Sequence, residues 1–193
     1  METTPMLVAA ANGFFDICKL IIDNVDDKNP ATHDGVTPLF IAAQKGHYEI
    51  CNLIITNVND KNPARNDGVT PLQKAAEKGH CEIFKLIFDS LGNSNRNPMS
   101  KGGLTPLESA AMNGHLKICK IILDVVDDEN PMTGNLTSLL YRTANKGHFE
   151  VFKFIFEKVS TKNYMKNEEL IPQYCEHNQA NTAEISTGDP RIS

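Results

Sequence analysis

The stretch "DGVTPLFIAAQKGHYEI", residues 34–50, returns 33 residues later as "DGVTPLQKAAEKGHCEI", residues 67–83. A single packed domain has no reason to restate itself at a fixed distance. Self-similarity at a period of about 20 to 50 residues marks stacked repeats, in which each unit buries a face that it cannot bury alone. The glycine before the histidine recurs as Gly13, Gly46, Gly79, Gly114 and Gly147, at spacings of 33, 33, 35 and 33. Nine residues before each lies Thr4, Thr37, Thr70, Thr105 or Ser138, followed by Pro5, Pro38, Pro71, Pro106 or Leu139. Asn-Pro pairs close four units, at Pro30, Pro63, Pro98 and Pro131. Three independent markers hold one register.

Each marker has a physical role. Asp34-Gly35 and Asp67-Gly68 are turn chemistry, with the glycine free to take positive φ. Thr37 is suited to cap a helix, and Pro38 to its first position, where no N–H is needed. Ala42 and Ala43 leave room for a neighbouring helix. Gly46 suits the left-handed residue that ends the helix. A second helix, about 48–57, then carries Ile50, Leu53 and Ile54 on one face. Glu82 with Lys85, and Glu150 with Lys153, sit three apart on its solvent side, where they add a little helix support.

The unit "TPLFIAAQKGHYEICNLII", residues 37–55, resembles the ankyrin repeat, T-P-L-x-x-A-A-x-x-G-H-x-x-I-x-x-L-L-L, and the likeness covers roughly residues 3–163. The resemblance implies an all-α, curved solenoid of about five stacked helix-turn-helix units with projecting turns. The units are expected at about 1–30, 31–63, 64–98, 99–131 and 132–163, with residues 164–193 expected to form a polar, flexible tail.

Several positions depart from the family pattern. The histidine that the family places after T-P-L is replaced by Leu7, Phe40, Gln73, Glu108 and Tyr141. Where it has glycine after the second helix, this chain has Val25, Val58, Leu91, Val126 and Val159. A β-branched residue is strained in the left-handed region, so these helices are expected to end differently, with Asn24 and Asn57 taking that conformation in two units. The first unit begins at its helix with Met6, Leu7, Val8, Phe14 and Phe15 and no polar cap. Either something covers that end or the chain is a segment of a longer array.

Composition bounds the function. Of 193 residues, 40% are hydrophobic and 22% charged, with a net charge of −5. This is a globular balance whose sign argues against nucleic acid or an anionic membrane surface. No apolar run is long enough to span a bilayer and no secretory leader is evident, so the expected location is the cytoplasm or nucleus. Cys18, Cys51 and Cys119 share a slot with Phe84 and Phe152, which makes it a packing slot. His47, His80, His115 and His148 lie one repeat apart, too far for one metal, and are expected to bond near the turn between helices. No metal, cofactor or catalytic constellation is expected, and the chain is not expected to be an enzyme.

What remains is recognition of another protein. The resemblance places the candidate contacts on the turn tips and the exposed side of the first helices. These are His33, Asp34, Val36, Phe40, Gln44, Lys45, Asn66, Asp67, Val69, Gln73, Glu77, Lys78, Lys101, Leu104, Glu108, Met112, Asn113, Tyr141, Asn145 and Lys146. The expected role is an adaptor or scaffold module, with an inhibitor-of-kappa-B-like regulator sequestering a transcription factor as the alternative. Self-association through the uncapped first unit is a further expectation.

Overall fold

The structure, a computed structural model, describes residues 3–92, 96–125 and 136–161. Ten helices and no strand occur among them: α1 (Pro5–Asn12), α2 (Phe15–Asn24), α3 (Pro38–Lys45), α4 (Tyr48–Ile55), α5 (Pro71–Lys78), α6 (Cys81–Ser90), α7 (Pro106–Met112), α8 (Leu116–Val125), α9 (Leu136–Asn145) and α10 (Phe149–Thr161). The chain divides into two compact units, residues 1–153 and 154–193, the division falling inside α10. In the second unit, Lys158 Nζ stands 5.6 Å from the centroid of the Phe154 ring. The Pro131 pair, Val126, Cys175 and the polar tail lie outside what is described, and Val159 lies within α10 rather than after it.

In the first unit, first helices pack in series, α1 on α3, α3 on α5, α5 on α7 and α7 on α9. Second helices do the same, α2 on α4, α4 on α6 and α6 on α8. The paired alanines make the close approach possible, and Ala42, Ala43, Ala75, Ala76, Ala110 and Ala111 are fully buried. Ile50, Ile83 and Ile118 fill one slot at 1–2% exposure, each burial contributing roughly 1.5–3 kcal/mol. Cys18, Cys51 and Cys119 are buried free thiols in that core, and Phe84 is buried in the same slot.

The helix starts follow from the sequence markers. Thr4, Thr37, Thr70 and Thr105 have extended backbones, and each Oγ1 accepts from the third residue's N–H: Leu7, Phe40, Gln73 and Glu108. Where the family has histidine, Glu108 returns its carboxylate to the Thr105 N–H at 2.9 Å, completing a capping box. A second cap comes from further away. The Oδ1 atoms of Asn29, Asn62 and Asn97 accept from the backbone of Leu39, Leu72 and Leu107, at 2.9–3.0 Å. The Asn of the Asn-Pro pair therefore satisfies another orphan amide of the next unit's first helix. α9 has neither Thr nor Pro at these positions and begins at Leu136, so Ser138 lies inside the helix rather than capping it.

The first helices of the first three units end on left-handed glycines, with Gly46 at φ 87° and Gly79 at φ 75°. The second helices end otherwise, and the expectation for Asn24 is corrected. Asn24 is the last helical residue of α2, and its Nδ2 donates to the Leu20 carbonyl at 2.7 Å. Asn57 makes the equivalent bond to Leu53 at 2.8 Å. The caps themselves are Val25, extended at φ −126°, and Thr56 and Leu91, right-handed at φ −73° and −83°. None needs positive φ, so β-branched and bulky residues fit there. Lys85 pairs with Asp89 at 2.7 Å, one turn onward, rather than with Glu82.

Candidate partner-binding groove

Between successive units the chain makes projecting turns. In the second unit the Thr32 N–H donates to the Val36 carbonyl and the Gly35 N–H to Thr32, at 2.9 and 2.8 Å. Arg65, Gly68 and Val69 repeat this pattern, as do Ser100, Gly103 and Leu104. Neighbouring turns are also tied together. The Asn66 N–H donates to the Asp34 carbonyl at 3.2 Å and the Lys101 N–H to Asp67 at 2.9 Å. Asn66 Nδ2 adds a bond to the His33 carbonyl at 2.9 Å. The three tips thus form one connected edge.

The histidines tie the helices of adjacent units. Nε2–H of His47, His80, His115 and His148 donates to the carbonyls of Ala11, Gln44, Glu77 and Met112, at 3.3, 3.3, 3.0 and 2.9 Å. A carbonyl can only accept, so the proton lies on Nε2. Each acceptor is in the last turn of the preceding first helix, where the helix itself offers no donor. Among the described residues no group of three or more His, Cys, Asp or Glu is placed to hold a metal.

The candidate contact residues divide into three groups. His33, Asp34, Asn66, Asp67 and Lys101 are exposed on the turn tips, with Val36, Val69 and Leu104 half-buried behind them. Lys45, Lys78, Asn113, Tyr141, Asn145 and Lys146 are exposed along or just after the first helices, and Gln44, Glu77 and Met112 are half-buried there. The third group corrects the expectation of a free, exposed side chain. Phe40 and Gln73 are buried at 2% and 3% exposure. Arg65 covers the Phe40 ring, 5.3 Å from its centroid. Gln73 Nε2 donates to the Leu104 carbonyl and to Ser109 Oγ, both at 3.2 Å. The carboxylate of Glu108 is taken by its capping box.

Seven of the candidates converge. Asp67, Val69, Gln73, Glu77, Leu104, Met112 and Asn113, with Ser100, Gly102 and Ser109, line an open groove of about 420 Å³ between the second and third tips and helices α5 and α7. The serines were not read as contacts. Ser109 takes an inward position beside the paired alanines, and Ser100 Oγ bonds within its own turn to Leu104. At the groove's edge, burial opposes the charge of Glu77. The ammonium groups of Lys74 and Lys78 outweigh it and hold the carboxyl below its ordinary value. Apolar walls, amide and hydroxyl groups and a fixed carboxylate suit recognition of a polypeptide surface.

A family model described as ankyrin repeats, in three copies, matches residues 1–63 and 53–133. The chain belongs to the ankyrin-repeat family. Proteins of this family are generally protein–protein interaction modules and typically lack catalysis. Comparison with curated proteins gives no match. No helix among the described residues is long and apolar enough to cross a membrane.

Proposed function

We propose that this chain is a non-catalytic adaptor or scaffold module that captures another protein on the turn tips and the groove between α5 and α7. The observation that carries this reading is the groove itself. Val69, Leu104 and Met112 offer apolar contact beside Glu77 and Asn113, and the hydrogen-bonded turns hold these groups in place before binding. Preorganisation of this kind lowers the entropy cost of association. Affinity purification with the intact chain, in parallel with Leu104→Glu and Met112→Lys, tests the proposal. Both side chains are only half-buried, so the variants keep the core. A specific partner is expected to be retained by the wild type and lost from at least one variant. A partner captured equally by all three places its contact elsewhere and overturns the assignment.

A further inference from the structure

The groove between α5 and α7 is open where the equivalent positions one unit earlier are filled. There Phe40 is buried, with the Arg65 guanidinium 5.3 Å from its ring centroid. One repeat on, Gln73 stands for Phe40, Ser100 for Arg65 and Ser109 for Lys74. All three replacements line the groove, and each is smaller than the residue it replaces.

The floor of the groove is polar and incompletely satisfied. Gln73 and Ser109 are only 3% and 5% exposed. Gln73 Nε2 spends its two protons on the Leu104 carbonyl and on Ser109 Oγ, each at 3.2 Å. A carbonyl can only accept, which identifies that amide atom as nitrogen and the other as oxygen. Oε1 has no hydrogen-bond partner among the described residues. Ser109 Oγ accepts from Gln73, and its own proton has no acceptor there. A buried acceptor and a buried donor thus lie side by side, because Oε1 shares its carbon with the Nε2 that touches Ser109. Buried polar groups are ordinarily paired.

The carboxylates of the groove are already matched. Asp67 lies 3.4 Å from Arg65, and Glu77 is paired with Lys74 and with Lys78. A guest therefore meets no unpaired charge, which favours a neutral group. A primary carboxamide is neutral and carries its donor and its acceptor on one end. A backbone peptide group has both, but its trans N–H and C=O point in opposite directions.

We propose that the floor formed by Gln73 and Ser109 is a subsite for the side chain of an Asn or Gln on the partner protein. Its carbonyl accepts from Ser109 Oγ–H and its amino group donates to Gln73 Oε1, with the aliphatic stem against Leu104 and Met112. The inference rests on the reading of this groove as the partner-binding surface. Oε1 is closed to water in the free groove, and Met112, unbranched and half-buried, is the wall able to yield to a guest.

Selection of a random linear peptide library on the full chain, followed by fluorescence-polarisation titration of an enriched peptide, tests the subsite. Enriched peptides are expected to share an Asn or Gln beside an apolar residue. Changing that Asn to Asp, or Gln to Glu, is expected to weaken binding at least about tenfold. Ser109→Ala and Gln73→Met are expected to weaken it likewise, with the helical far-UV spectrum unchanged. Both keep the fold, since alanines flank Ser109 in the core and Phe40 fills the Gln73 slot one unit earlier. Peptides lost with Leu104→Glu but indifferent to these changes overturn the carboxamide and leave the groove as the binding surface. Peptides indifferent to Leu104→Glu as well overturn both readings. Enrichment of peptides without Asn or Gln, or of none, also overturns the subsite.

Discussion

The imidazole of His115 lies against Gly79, so that a β-carbon on that glycine would stand 2.5 Å from Cε1 and 2.6 Å from Nδ1. The same ring donates to the Glu77 carbonyl two residues before Gly79. Glycine is therefore required twice over, by its φ of 75° and by the ring above it. The relation recurs between His47 and Gly13, His80 and Gly46, and His148 and Gly114, each at 2.8 Å.

Gly79→Val is accordingly expected to destabilise more than Gly92→Val. Gly92 also has positive φ, at 60°, but no described atom lies within 4 Å of its β-carbon position. Both variants carry backbone strain of about 1 kcal/mol or more. The first adds a collision with a ring held in place by its own hydrogen bond. Equal shifts in melting temperature would contradict the assignment.

A double-mutant cycle isolates the contact. His115→Ala alone leaves the Glu77 carbonyl uncapped, at a cost of about 0.5–1.5 kcal/mol. It also removes the obstacle above Gly79. Gly79→Ala is therefore expected to cost less in the His115→Ala background than in the wild type, with a coupling of at least about 0.5 kcal/mol. Strict additivity in urea denaturation would show that the ring and the glycine do not oppose one another.

The repeat was legible because its caps are local: Thr37 reaches only to Phe40, and Gly46 closes on Ala42. What the sequence concealed acts across units. The glycine–histidine contact joins residues more than 30 apart, so its purpose is invisible within one repeat. Asn62 looked like part of a loop signature, yet it caps Leu72 across the following turn. Phe40 and Gln73 occupy a slot that elsewhere holds Glu108 and Tyr141. Side chains of such different length do not reveal its depth, which is set by the turn folded over it. The candidate groove was half legible. Its tips and helix faces followed from the family resemblance, but Ser109 could not be told from its alanine neighbours.

The Asn caps give a stability prediction of their own. Asn62→Ala is expected to cost about 1 kcal/mol, as for other helix caps, because it strands the Leu72 N–H. Asn52→Ala, on the exposed side of α4, is expected to stay within about 0.5 kcal/mol of wild type. Thermal or urea unfolding of the two variants checks this, and matching losses would remove Asn62 from the capping role.

The buried thiols make stability depend on alkaline pH. Burial, and for Cys51 also the nearby Glu49 carboxylate, pushes the Cys51 and Cys119 thiols from 9.0 to about 12. The unfolded chain therefore releases these protons first. Their contribution is fully present below about pH 9 and is lost as pH rises toward about 12. A Cys51→Val, Cys119→Val variant is expected to lose stability less steeply than wild type between pH 8 and about 10.5, measured by urea midpoints. It is also expected to keep partner binding. Parallel pH profiles would dissociate the thiols from the effect, and lost binding in the folded variant would give them a functional role.

The first unit should be the least protected part of the stack. In a one-dimensional array each unit is held by its neighbours, and among the described residues α1 and α2 pack only on the second unit. α1 remains anchored, since Met6, Ala9 and Ala10 are buried and His47 caps the Ala11 carbonyl. α2 is held less well, with Ile17 and Leu20 largely in solvent. Amide exchange, measured at concentrations low enough to keep the chain monomeric, is expected to be fastest among the described helices in α1 and α2. Protection within α2 is expected to fall below that of α4 and α6, whose equivalent isoleucines are covered. An upstream polar repeat should slow exchange in α2 and raise the melting temperature, because it covers Ile17 and Leu20. If α2 of the monomer exchanges as slowly as α6, the first unit is stable without support from that side. Its exposed isoleucine and leucine then mark no deficit in folding.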